Sequence, residues 1–208
     1  MRTLGVDWMD AKPAWRPDGG ALVVTSRPGA GDLGDLHLLE LGGGVGMAAR
    51  KRLTETPGLD ESDPVFTPDG SGVVFVRQAG LHHLDLADRR VRRLTTGFRE
   101  LHGPRFLPGG EIACLWREEK RFGIGLLSPE GAWIRSVYSG SVEYRSIAPA
   151  PDGRHLAATS ALDLSFRLSE VLKPRPTEEI HLVELERGTV TRLVRSWRFS
   201  NHSTDWGR

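Results

Sequence analysis

The chain has 208 residues, 28 Lys+Arg against 27 Asp+Glu for a formal net charge of +1, 38% hydrophobic residues, 25 Gly and 13 Pro. That length supports a sizeable core, the composition is globular and turn-rich rather than disordered or fibrous, and so balanced a charge gives no electrostatic basis for a nucleic-acid partner or an anionic membrane surface. The single cysteine excludes an internal disulfide, and no run nears the ~20 apolar residues that span a bilayer, so no membrane insertion is expected.

Taken in order, the chain opens without a signal-peptide pattern, since Met1 to Asp10 holds acidic residues and no apolar stretch. A soluble, cytoplasmic protein is expected from the chain as it stands, and a periplasmic one if it belongs to a longer exported polypeptide. Arg2-Thr3-Leu4 reads as the outer strand of a preceding unit. Then comes Pro13-Ala14-Trp15-Arg16-Pro17-Asp18-Gly19, and related copies follow at Pro64–Gly70, Pro104–Gly110 and Pro149–Gly153. In such a segment proline presets φ for a tight turn, Asp can accept from its own backbone, and Gly takes φ > 0. With an aromatic before it and a β-branched run after it, this is a hairpin. Asp18, Asp69 and Asp152 are therefore turn residues by this reading, because a fold repeat needs its turn in every copy and a catalytic residue is needed once.

The copies recur every 40 to 45 residues or so, the first interval being longer, and this is the period of a four-stranded propeller blade. The expected strands are 12–15, 21–26, 35–41 and 50–54 in the first unit, and 63–66, 72–77, 81–86 and 91–95 in the second. The third unit has 104–106, 111–116, 123–127 and 133–137, and the fourth 145–148, 155–160, 179–185 and 189–194. Between the second and third strands of the fourth unit, 161–178 reads as a short helix or a surface loop. Trp206 falls where the first strand of a further blade would begin. The fold expected is all-β: a β-propeller of four-stranded antiparallel blades in a single domain over 1–208, with blades at about 11–54, 62–95, 103–137 and 145–194, and 1–6 and 204–208 as parts of flanking blades.

These residues resemble the TolB-like, or WD40-like PD40, β-propeller repeat. The resemblance is carried by Trp15-Arg16-Pro17-Asp18-Gly19, by Phe66-Thr67-Pro68-Asp69-Gly70, and by Arg52-Leu53-Thr54 and Arg93-Leu94-Thr95 closing the first two units. The third copy has Gly109 in place of Asp, and the fourth has Pro149 in place of the aromatic. Within that family some members are scaffolds that bind proteins or peptides, and others are the propeller of serine peptidases of the prolyl oligopeptidase type.

No Gly-x-Ser-x-Gly elbow is present. Cys114, inside the strand-like run 112–116, reads as a buried small hydrophobe. The glycine runs 27–31 and 42–44 lack the context of a phosphate loop. His82 and His83, being adjacent on a strand, point to opposite faces and cannot share one metal ion. The reading is therefore a non-catalytic scaffold with no cofactor and no metal, binding a protein or peptide through its inter-blade loops and axial face, with self-association as a way of completing the ring. The alternative is the accessory propeller of a peptidase or other enzyme whose catalytic part lies elsewhere, and a third reading is an enzyme with its own channel site. The connections from each fourth strand to the next first strand supply the binding candidates Phe98, Arg99, Glu100, His102, Tyr144, Arg145, Arg198 and His202. Mixed charge with aromatics is the composition that protein-binding surfaces carry.

Overall fold

A computed structural model describes residues 9–29, 31–42, 47–97, 99–162 and 177–195. The expected units at 2–4 and at Trp206, and the helix or loop within 163–176, lie outside the described residues. The chain divides into two compact units, Met1–Gly97 and Phe98–Arg208.

The first unit holds two blades. One is β1 (Met9–Trp15), β2 (Ala21–Arg27), β3 (Asp35–Leu41) and β4 (Met47–Arg52); the other is β5 (Glu61–Phe66), β6 (Gly72–Arg77), β7 (Gly80–Asp85) and β8 (Val91–Arg93). The second unit holds β9 (Glu100–Phe106), β10 (Ile112–Glu118), β11 (Arg121–Leu127) and β12 (Trp133–Gly140), then β13 (Tyr144–Pro149), β14 (His155–Leu162), β15 (Thr177–Glu184) and β16 (Val190–Arg195). Each blade is a four-stranded antiparallel meander with its first and fourth strands at the sheet edges. Among the described residues there is no helix.

The turn chemistry is as the sequence implies. Gly19 N–H donates to Arg16 C=O at 2.8 Å with Gly19 at φ +74°, and the Asp18 carboxylate accepts from Gly20 N–H at 2.8 Å. Asp69 and Asp152 accept from Ser71 and Arg154 N–H in the same way. The Thr67 hydroxyl, then the hydroxyl and amide of Ser71, hold the Asp69 carboxyl down to about 2, so it serves as an ionised acceptor at neutral pH.

The first strands run further back than expected, to Glu61, Glu100 and Tyr144. The cause is a bulge. Ser62 pairs with Val76 and Val65 with Val74, so Asp63 and Pro64 together oppose Phe75 alone. Lys12-Pro13 opposes Val24 and Gly103-Pro104 opposes Cys114 in the same way. A proline has no N–H for the ladder, and placing it in the bulge lets pairing continue beyond it. The preceding residue takes positive φ: 54° at Lys12, 51° at Asp63 and 52° at Gly103. The fourth blade lacks this proline, and its irregularity moves to Arg145, between Tyr144 and Ser146.

The Arg-Leu-Thr ends also differ from plain strand. Leu53 and Thr54 N–H both reach Leu36 C=O while the Thr54 hydroxyl oxygen accepts from Leu36 N–H at 2.9 Å. Leu94, Thr95 and Leu81 repeat the arrangement, and Arg52 and Arg93 each cap the carbonyl of the Thr two residues on. Thr54 and Thr95 thus close the third strand instead of extending the fourth.

The apolar core of each unit lies between its two blades. In the first unit Ala21, Val23, Leu36, Leu38 and Leu53 pack on Phe66, Val73, Phe75 and Leu84. In the second unit Ala113, Leu115, Ile124, Leu126 and Val137 pack on Ile147, Leu156, Ala158 and Val183. The trailing face of one blade thus meets the leading face of the next. This explains why the motif aromatics part company: Phe66 lies in that seam at 3% exposed, and Trp15, on the leading face of the first blade, is 62% exposed.

The hairpin between β6 and β7 turns through Gln78 and Ala79 at φ 49° and 58°, two left-handed residues in the pattern that Asn-Gly fills best. Replacing Gln78-Ala79 with Asn-Gly is expected to stabilise the chain by about 1 kcal/mol, measured as a higher urea midpoint with unchanged slope; a lower midpoint would show that these side chains contribute more than their backbone strain costs.

Candidate functional site

The described binding candidates all fall in the second unit, where β9 and β13, the first strands of its blades, lie against each other. Glu100 and His102 are exposed on β9 with buried Leu101 between them, and Arg145 is exposed at the β13 bulge. These residues belong to strand starts rather than to loops, because the bulges extend the strands to reach them. Phe98, Arg198 and His202 lie outside the described residues.

Tyr144 is buried, not an exposed contact aromatic. It meets Tyr138 edge to face at 5.3 Å between centroids, and its hydroxyl lies 2.9 Å from His181 Nδ1. Nε2 of the same ring lies 3.1 Å from the Glu179 carboxylate, which Arg192 approaches from the other side at 3.5 Å. With Tyr144 O–H donating to Nδ1, the Nε2–H is left to donate to Glu179, so one neutral tautomer satisfies the chain of bonds. Burial first, then Tyr138 and Glu179, pushes the Tyr144 phenol well above its usual range, so it stays a neutral donor.

Arg99, one residue ahead of β9, is engaged within its own unit. Its guanidinium carbon lies 4.8 Å from the Trp116 ring and 4.6 Å from the Trp133 ring, and its Nε donates to Glu118 at 3.2 Å. Cation–π contacts of this kind are worth about 0.5–1 kcal/mol each at exposed sites.

In the first unit the bulge residues themselves meet. Lys12 Nζ lies 3.3 Å from the Asp63 carboxylate, linking β1 to β5. Above them Glu61, fully buried, accepts from Arg77, from the Thr54 hydroxyl and from Thr56 Oγ1 at 2.8 Å. Asp60 accepts from Gly34 N–H at 2.7 Å, and its two oxygens share Arg27 Nη2 at 3.0 and 3.2 Å. Asp60, Glu61 and Asp63 each accept from a donor on the adjoining blade, and for the fully buried Glu61 such pairing is what burial of a carboxylate requires.

A cleft of about 520 Å³ opens at the turn end of the second unit, lined by Glu111, Ile134, Arg135, Arg154, His155 and Glu186 among others. Its charges are mixed, and its wall is tied by Arg135 donating to Leu185 C=O and Leu185 N–H to Arg154 C=O. Cys114 is buried, and burial pushes its thiol up to about 12, so no thiolate forms at neutral pH. Among the described residues no three His, Cys, Asp or Glu side chains converge as metal ligands.

With this geometry in view, likeness to solved structures is informative. The chain superposes on TolB from Acinetobacter baumannii with a TM-score of 0.64 and 19% identity over 90% of this chain and 44% of that one. The blades have the fold of TolB-like β-propellers. Puromycin hydrolase matches at TM-score 0.65 and 18% identity over 88% of this chain and 28% of that one. Prolyl oligopeptidase B from Galerina marginata matches at 0.61 and 15% over 91% and 26%. The chain thus spans less than half the length of each of these proteins. No protein-family model matches the chain, and no curated sequence matches it.

In this TolB-like fold two repeated features escaped the sequence reading. The residue before the motif proline is the bulge, and the signal was Lys12, Asp63 or Gly103 standing ahead of Pro at the same place in three blades. One register position of the third strand is a buried histidine in three of them: His37, His82 and His181. Their cross-strand partners, Val24, Phe75 and Ala158, are equivalent. The signal was Leu-His or Ile-His three residues before Glu or Asp. In the third blade that position is Gly125.

Burial chiefly, with Arg50 and Arg52 near His37 and with Arg77 and Arg93 near His82, lowers both imidazoles below their usual value. The unfolded chain therefore takes up these protons first, so the stabilisation is present above the ordinary histidine value near 6.5 and is lost as pH falls below it. The urea midpoint is expected to drop between pH 7 and pH 5, and His82→Phe to flatten that slope; an equal slope in the variant would assign the loss to other groups.

Proposed function

We propose that the chain is a non-catalytic propeller scaffold that binds a protein or peptide at the strand starts of its second unit. The observation that carries this is the placement of Glu100, His102 and Arg145, exposed on two neighbouring first strands whose outer edges have no strand partner in their sheets. Carboxylate, imidazole and guanidinium side by side on rigid strands suit recognition of a polar partner surface better than chemistry on a small substrate. Bulges at Gly103 and Arg145 turn these side chains away from regular pleating, a common device beside binding sites. The likeness to TolB supports the reading at the level of fold.

The second reading, a propeller serving a peptidase whose catalytic domain is elsewhere, is favoured by the equally good likeness to puromycin hydrolase and prolyl oligopeptidase B. The two separate by what the chain captures: an α/β-hydrolase polypeptide for the peptidase reading, other proteins for the scaffold. A photo-crosslinking residue at His102, introduced in the source cells, reports the partner. Glu100→Lys and Arg145→Glu are each expected to lower recovery of that partner at least tenfold with an unchanged unfolding midpoint. Retention of every partner by the double variant would sink this surface.

A further inference from the structure

One departure of the third blade from the other three builds a slot. Where the others carry His37, His82 and His181, it carries Gly125. A Cβ there would stand 2.2 Å from the Trp133 ring, and a Cβ at Gly123 would stand 2.2 Å from the Tyr138 carbonyl oxygen and 2.4 Å from the Trp116 ring. Two side chains are therefore missing from β11 so that two indoles can lie across the sheet. Trp116 is buried and Trp133 is 38% exposed. A guanidinium lies against both rings, and the Glu118 carboxylate accepts from it.

From this we infer that Trp116, Trp133 and Glu118 form a recognition slot for a planar cation, with Arg99 as its internal occupant and the arginine of a partner polypeptide as the competing ligand. Two aromatic faces, a floor cleared by glycine and one carboxylate are the elements that select a guanidinium over a neutral group or a compact ammonium. Trp116 Nε1 is buried and has no acceptor among the described residues, which leaves a donor beside the slot for a carbonyl of the incoming chain. Arg99 is half-buried and attached by one rotatable side chain, so the slot empties by side-chain rotation alone. Its tether gives it a high effective concentration, so a free arginine binds the native chain weakly and a partner must add contacts of its own. The slot does not depend on the partner-binding role of Glu100, His102 and Arg145.

The test is chemical rescue in the full chain. Arg99→Ala is titrated with Nα-acetyl-arginine methylamide, following tryptophan fluorescence and indole N–H resonances. Saturable binding with a millimolar midpoint is expected, at least tenfold tighter than to the native chain and at least tenfold tighter than for the citrulline analogue. It should be abolished by adding Trp133→Ala. Arg99→Gln repeats the measurement should the alanine variant lose its unfolding midpoint. Absence of saturable binding in these variants, equal binding after removal of Trp133, or loss of the fold in both would each overturn the slot and leave Arg99 as a structural pin.

Discussion

A four-stranded sheet with apolar residues on both faces cannot stand alone in water, and this constraint governs the molecule. Strand β6 shows it most plainly: Gly72, Val73, Val74, Phe75 and Val76 are all buried in succession, although alternate residues point to opposite faces. Each such strand needs cover on both sides. Within each unit the trailing face of one blade supplies it to the leading face of the next, and losing a buried aromatic such as Phe75 there would cost about 3–5 kcal/mol. The turns meet as well as the sheets. A Cβ at Gly70 would touch Arg16 and Pro17, and one at Gly153 would touch Pro108, so these two turn glycines, with φ near +70°, sit on the preceding blade's turn.

Stacking faces buries polar ends, and the two units solve that problem differently. In the first, Glu61 is held by Arg77 and the threonines that close the preceding blade. In the second, the first strand of its second blade begins with Tyr144, and the partner is the His181 imidazole backed by Glu179. A buried ion pair loses much of its attraction to desolvation, and removing one partner costs far more than the pair contributes. The Tyr-His arrangement puts an imidazole between the strand start and the buried Glu179 carboxylate, which Arg192 approaches in turn.

The sequence made the repeat legible because a turn has strict local demands: Pro, Asp and Gly in order can satisfy few other geometries. Blade number and meander order followed from that spacing. Strand starts were not legible, since a proline inside a strand usually marks its end, and only pairing across Asp63-Pro64 reveals the bulge that carries the strand on to Glu61. For the same reason Glu100 and His102, ahead of Pro104, were placed in a loop. Tyr144 was misjudged as exposed because its cover comes from His181 and Tyr138, both on other strands and one of them 37 residues away. The buried histidines were passed over because adjacent His82 and His83 invited a question about metals, whereas the pattern that mattered ran across blades.

Repetition also offers a way to separate structure from use. A position that recurs across blades with the same role, such as the turn Asp of three blades or the closing Thr of two, is accounted for by the fold. Positions where one blade abandons the pattern need another cause. The third blade gives up its histidine for Gly125 and seats two indoles around Arg99, and the fourth gives up its bulge proline and turns Arg145 outward. Both departures lie in the second unit, and both present or engage a guanidinium. These departures, unlike the motif that announces the fold, are not accounted for by the repeat.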